Sequence, residues 1–157
     1  LPRGVSPVTA ASWASLFYIG ITAGRGGSGF LTMALSDRQM IRLGQAVIAC
    51  GILALLLPLG PTAAMLGLVL IGLGCAPIYP CIIHSTPALV GAWASQAVIG
   101  LEMACAYVGT CLMPPFFGWL AEHLFSTGLF PYYLALFLLL MLLCSEHLWR
   151  EKAGKQR

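Results

Sequence analysis

Long uncharged stretches separated by short polar clusters make up most of the chain. Apolar runs occupy Ala10 to Leu35, Leu43 to Leu59, Thr62 to Ile83, Ala92 to Leu120 and Pro131 to His147. Each is near the ~20 residues that carry a helix across a hydrocarbon core of roughly 30 Å. The interruptions have turn chemistry: SPVT before the first run, SDR after it, Gly60-Pro61-Thr62 between the second and third, and HSTP after the third. The second and third runs therefore predict a helical hairpin with almost no loop, and Pro114-Pro115 predicts a kink or an end in the fourth. The pattern predicts an all-α membrane protein, a polytopic helical bundle. Its segments are a loop 1–9, a helix 10–35, a loop 36–42, helices 43–59 and 62–83, a loop 84–91, a helix 92–120, a loop 121–130, a helix 131–149 and a tail 150–157.

Composition strengthens this reading. Hydrophobic residues make up 59% of the chain and charged residues 8%, with a mean hydropathy of +0.90, whereas about a quarter of a soluble domain is charged. The six cysteines lie in or beside apolar runs without a close CxxC pair, so they read as small buried residues and not as a metal or redox site. No cofactor is expected. A net charge of +3 is too small to argue for nucleic acid, and its distribution matters more. Arg38, Arg42, Arg150, Lys152, Lys155 and Arg157 fall on one side of the five-span topology and Arg3 on the other, which predicts a cytoplasmic C-terminus in the plasma membrane. The N-terminus is then external, without a secretory signal or an initiator methionine, and an upstream part is expected.

Arg25 is the one charge between Val5 and Ser36. A 3.6-residue period puts Tyr18, Thr22, Arg25, Ser28, Gly29, Thr32 and Ser36 on one face of the first helix. On the fourth helix, Glu102 shares a face with Ser95, Val98, Cys105, Ala106 and Gly109. Counted from Leu35 and from Ala92, both groups lie ten residues in, ~15 Å at the helical rise. Opposite charges at equal depth are expected to pair with each other or with protein outside this chain, and Glu102 is the expected partner of Arg25. Such a pair is either structural or, as intramembrane ionisable groups usually are, part of a substrate or proton pathway. The second and fifth helices, apolar nearly all round, are expected against lipid. The first, third and fourth carry small and polar residues suited to close packing or to a cavity wall.

The third run ends in GCAPIYPCIIH, where Pro77 and Pro80 bracket Tyr79 and free backbone carbonyls. This is either a kink or part of a binding site, with Tyr79 as a weaker contact candidate and Gln96 as another. His84 reads as a solvated interface residue. Trp13, Trp93, Trp119 and Trp149 suit the interfacial belt. With no HExxH, no GxSxG and no clustered His or Asp set, enzyme chemistry is not expected.

The segment GRGGSGFLTMALSDRQMIRLG, with Gly29, Asp37, Arg38 and Arg42, resembles the loop between helices 8 and 9 of the major facilitator superfamily, in a stretched form. GLGCAPIYPCIIHSTP followed by ASQAVIGLEMACAYVGTCLMPPFFGWLAEHLF is similar to helices 10 and 11 of its fucose permease-like branch. The resemblance implies a partial major facilitator fold, helices 8 to 12 of twelve, with an N-terminal half as partner. It also implies alternating access, often with proton symport, and Arg25 and Glu102 as cavity residues of helices 8 and 11. The expected function is the C-terminal portion of a secondary transporter for a small polar solute, a sugar first, coupled to protons. The alternative is a non-transporting membrane scaffold or interaction protein, in which Arg25 and Glu102 pair permanently.

Overall fold

The computed structural model describes residues 7–57, 60–123 and 130–155, with side chains described over 15–57, 60–120 and 130–150. Expectations on Arg3, on Arg157 and on the side chains of Trp13, Lys152 and Lys155 lie outside the described residues. Five helices follow one another: α1 (Pro7–Leu31), α2 (Asp37–Leu56), α3 (Pro61–Val90), α4 (Ala92–His123) and α5 (Phe130–Lys155). No strand occurs among the described residues. Four stretches, Asp37–Leu56, Pro61–Val90, Ala92–Leu120 and Phe130–Arg150, are long and apolar enough to cross a membrane. The chain is thus an all-helical, multi-pass membrane protein. At 25 residues α1 also has the length of a span.

Several boundaries differ from the sequence expectation. Residues 37–42 are not a loop but the first turns of α2. Ser36 caps it in an extended conformation, its N–H donating to Gln39 Oε1 at 3.0 Å, and Asp37 places a negative charge at the positive end of the helix dipole. The connection from α1 shrinks to residues 32–36. Segment 84–91 is helical to Val90, because Pro77, Pro80 and Pro87 each remove only one backbone donor from α3 while the rest of the ladder continues. Pro114 and Pro115 likewise sit inside α4, and α5 runs on into the expected tail as far as Lys155. The expected turn at Gly60-Pro61 is present, Gly60 (φ 97) adopting a backbone that favours glycine and Pro61 opening α3, while the turn between α3 and α4 narrows from the expected 84–91 to Gly91 (φ 86). With 30 residues α3 is about 45 Å long, more than a hydrocarbon core, so its last turns project beyond it.

Helix α3 is the hub. It packs along α1 on one side and along α2 on another, while α4 meets it near its C-terminal end and α5 lies on α2. Its contact with α2 is antiparallel and built on glycines seven residues apart. Gly44 meets Gly74 and Gly51 meets Gly67, so closely that a methyl group built on either member would lie within 2.8 Å of the other's carbonyl oxygen. Backbones this close gain dispersion and Cα–H to carbonyl contacts that a side chain would prevent. Ile48, Ile52, Ile71 and Ile78 fill the space beside the glycines. Against α1 the helices run parallel, with Gly20 and Gly24 of α1 on Val69, Leu73 and Ala76 of α3, and Gly72 on Phe17. The carbonyl of Leu73, which Pro77 deprives of its helical donor, lies against Gly24.

This corrects the assignment of α2 to lipid. Its Met40, Ile41, Gln45, Ile48 and Ile52 are buried, whereas α4, expected among the packed helices, is exposed along most of its length.

Candidate functional site

Arg25 follows Gly24 on α1, but its side chain is turned off the face that packs on α3 and is exposed. Beside it, a methyl group on Gly26, Gly27 or Gly29 would meet nothing within 4 Å, so this length of α1 is narrow and open on the Arg25 side. The hydroxyls of its stripe are turned back onto their own helix: Thr22 donates to Tyr18 O (2.9 Å), Ser28 to Arg25 O (3.0 Å) and Thr32 to Gly29 O (2.9 Å). Arg25 makes no ion pair among the described residues.

Glu102 is half-buried on the face of α4 that meets α3. Its partner is Thr86, buried to 2% exposure, whose Oγ1 lies 3.0 and 3.2 Å from the two carboxylate oxygens and 2.9 Å from the carbonyl of Ile82. A hydroxyl has one proton to give. When Glu102 is charged, Thr86 donates to it, the stronger, charge-assisted bond. When Glu102 carries a proton, it can donate to Thr86 and leave the hydroxyl proton for Ile82. Both protonation states are therefore hydrogen-bonded without a change of fold.

The structure does not bring Arg25 and Glu102 together. Gly24, beside Arg25, lies against Leu73 and Ala76, whereas Glu102 lies at Thr86, ten residues or about 15 Å farther along α3. The equal-depth arithmetic fails because α1 ends at Leu31 and α3 continues to Val90, so the two starting points of the count are not level. Tyr79 stands on α3 between these levels, 38% exposed. Gln96 is exposed on another face of α4, beside the buried Ser95, and joins neither group.

The loop residues are drawn into a polar network at one end of the bundle. Asp37 Oδ2 lies 2.8 Å from His84 Nδ1, tying α2 to α3. His84, read from sequence as merely solvated, thus has a specific partner. Arg42 donates to Glu146 Oε1 of α5 from Nε at 2.8 Å and again from its terminal nitrogen, and Arg38 reaches Oε2 at 3.5 Å. Gln45 donates to Ser145 Oγ at 3.2 Å on the same seam. Gly29 is open on α1 and takes no part. Sequence reasoning missed Thr86, Gln45, Ser145 and Glu146. Gln45 inside the apolar run of α2 and Glu146 near the end of the fifth run were the available signals among them.

An apolar cleft of about 150 Å³ lies between α1 and α2 over Leu73, Gly74 and Pro77, with Gly27 and Ser28 in its α1 wall. Among the described residues no group of three or more His, Cys, Asp or Glu could hold a metal ion. No protein-family model, no curated protein and no solved structure matches the chain.

Proposed function

We propose that the chain forms the C-terminal part, helices 8 to 12, of a major facilitator-type secondary transporter that moves a small polar solute by alternating access. On this reading α1 counts as the first span, the tail is cytoplasmic in the plasma membrane, and an N-terminal half supplies the other cavity wall. A proton-coupled sugar transporter of the fucose permease-like branch is the specific form proposed. The observation that carries the reading is Glu102 on Thr86, an ionisable group within a candidate span whose two protonation states both find hydrogen-bond partners.

Arg25 then orients hydroxyl or carboxylate groups of the solute from the open face of α1, and Tyr79 offers a contact between the two levels. Glu102 takes up and releases the coupling proton. The rival scaffold reading requires Arg25 and Glu102 to be permanently paired, and their separation along α3 speaks against it.

Cysteine accessibility tests the reading. In a cysteine-free background, single cysteines at Tyr18, Thr22, Arg25 and Gly29 are expected to react with membrane-impermeant thiol reagents, because a transport pathway is wetted; a stripe wholly protected by lipid or protein refutes it. Uptake against an imposed pH gradient by cells expressing the protein tests the coupling. Undiminished proton-driven accumulation by Glu102→Gln would remove Glu102 from that role.

A further inference from the structure

The seam between α2 and α5 carries more positive charge than it neutralises. Arg38, Arg42 and Arg150 all act on the single carboxylate of Glu146, while the nearby Asp37 is engaged by His84. Three guanidinium charges against one carboxylate leave two positive charges unbalanced there among the described residues. Arg42 is the close partner. Arg38 is not: its bond to Glu146 is 3.5 Å long, the limit of such a contact, and its Nε is a buried donor with no acceptor. Its guanidinium instead lies 5.8 Å from the centre of the Trp149 ring. The Arg38 and Arg42 side chains remain 40% and 55% exposed, so their remaining donors open to the surroundings.

The position in the membrane says what those surroundings are. Arg38 and Arg42 lie in the first turns of one candidate span and Arg150 follows the apolar run of another, the positions along a span at which basic residues meet lipid headgroups. Trp149, beside Arg38, is the residue type that prefers this level. A phosphodiester offers two unesterified oxygens of the geometry that a guanidinium binds in pairs, and it supplies the missing negative charge. Basic pockets between helix ends are a recurrent way of holding anionic headgroups.

We propose that the α2–α5 seam is a binding site for the phosphodiester headgroup of an anionic membrane lipid, held by Arg38, Arg42 and Arg150, with Glu146 as an internal competitor for the same guanidiniums. The site is independent of transport and stands or falls without it.

The test uses the 157-residue chain in nanodiscs of phosphatidylcholine containing a minor fraction of phosphatidylglycerol, with the lipids retained after mild release counted by native mass spectrometry. The chain is expected to retain phosphatidylglycerol in preference to phosphatidylcholine. The preference should fall about fivefold for each arginine neutralised in Arg38→Gln and Arg42→Gln. Glu146→Gln, which removes the competitor, should instead raise it. That opposite sign keeps the test decisive even if the arginine variants fold poorly. Retention of the two lipids in the nanodisc's own proportion by the wild-type chain, an unchanged preference in the arginine variants, or no gain in Glu146→Gln each overturns the proposal. Displacement of the lipid by millimolar inorganic phosphate would show a free-phosphate site and overturn it too.

Discussion

Replacing Gly74 by alanine is expected to break the closest backbone approach between α2 and α3. The new methyl would lie 2.6 Å from Gly44 O and 2.8 Å from Ile48 Cγ1, and ordinary contact begins at 3.4 Å. One of those atoms is backbone, so α2 and α3 must separate by about 0.8 Å instead of a side chain turning aside. Forced overpacking of this kind costs about 1–3 kcal/mol, and the separation also loses the Cα–H to carbonyl contacts, about 0.5–1 kcal/mol each. Alanine returns about 1 kcal/mol of helix propensity. The net expectation is a destabilisation of about 1–3 kcal/mol. Gly100→Ala on α4 is the matched control: its methyl meets nothing within 4 Å, so only the propensity gain of up to about 1 kcal/mol remains. The two substitutions are chemically the same and should differ in sign. Unfolding by increasing sodium dodecyl sulfate in mixed micelles, followed by tryptophan fluorescence, reads both. The double variant Gly44→Ala with Gly74→Ala should cost less than the sum of the singles, since the helices separate once for both methyls. Equal midpoints for Gly74→Ala and Gly100→Ala would refute the account of α2–α3 packing.

Two further outcomes follow from the polar contacts. Thr86→Val, which preserves shape and removes the hydroxyl, should cost about 1–3 kcal/mol by leaving Glu102 without its donor, whereas Thr86→Ser should stay close to wild type; identical unfolding midpoints for Val and Ser would mean the hydroxyl does nothing. Asp37→Asn, which removes the carboxylate charge 2.8 Å from His84 Nδ1 at the junction of α2 and α3, should lower the unfolding midpoint by the small amount that an exposed pair contributes; a midpoint equal to that of the wild type would dismiss the pair.

The sequence by itself determined that this is a helical membrane protein and where most of its helices lie, because crossing a bilayer demands runs of a fixed length and apolar character, and those are countable along a chain. It also marked the turn at Gly60-Pro61, since few residues adopt that backbone, and it singled out Arg25 and Glu102 as ionisable groups in apolar runs. What it left undecided was which faces meet. Seven-residue glycine spacings in α2 and α3 acquire meaning only when the two helices lie antiparallel in the register that sets Gly44 on Gly74 and Gly51 on Gly67. Likewise the depth of a charge depends on where neighbouring helices end, and α3 running through three prolines to Val90 shifted Glu102 to Thr86 and away from Arg25. Glu146, 104 residues from Arg42 along the chain, could be recognised as its partner only once α5 lay against α2. Local chemistry writes the helices, and it takes their three-dimensional contact to assign each polar group its partner.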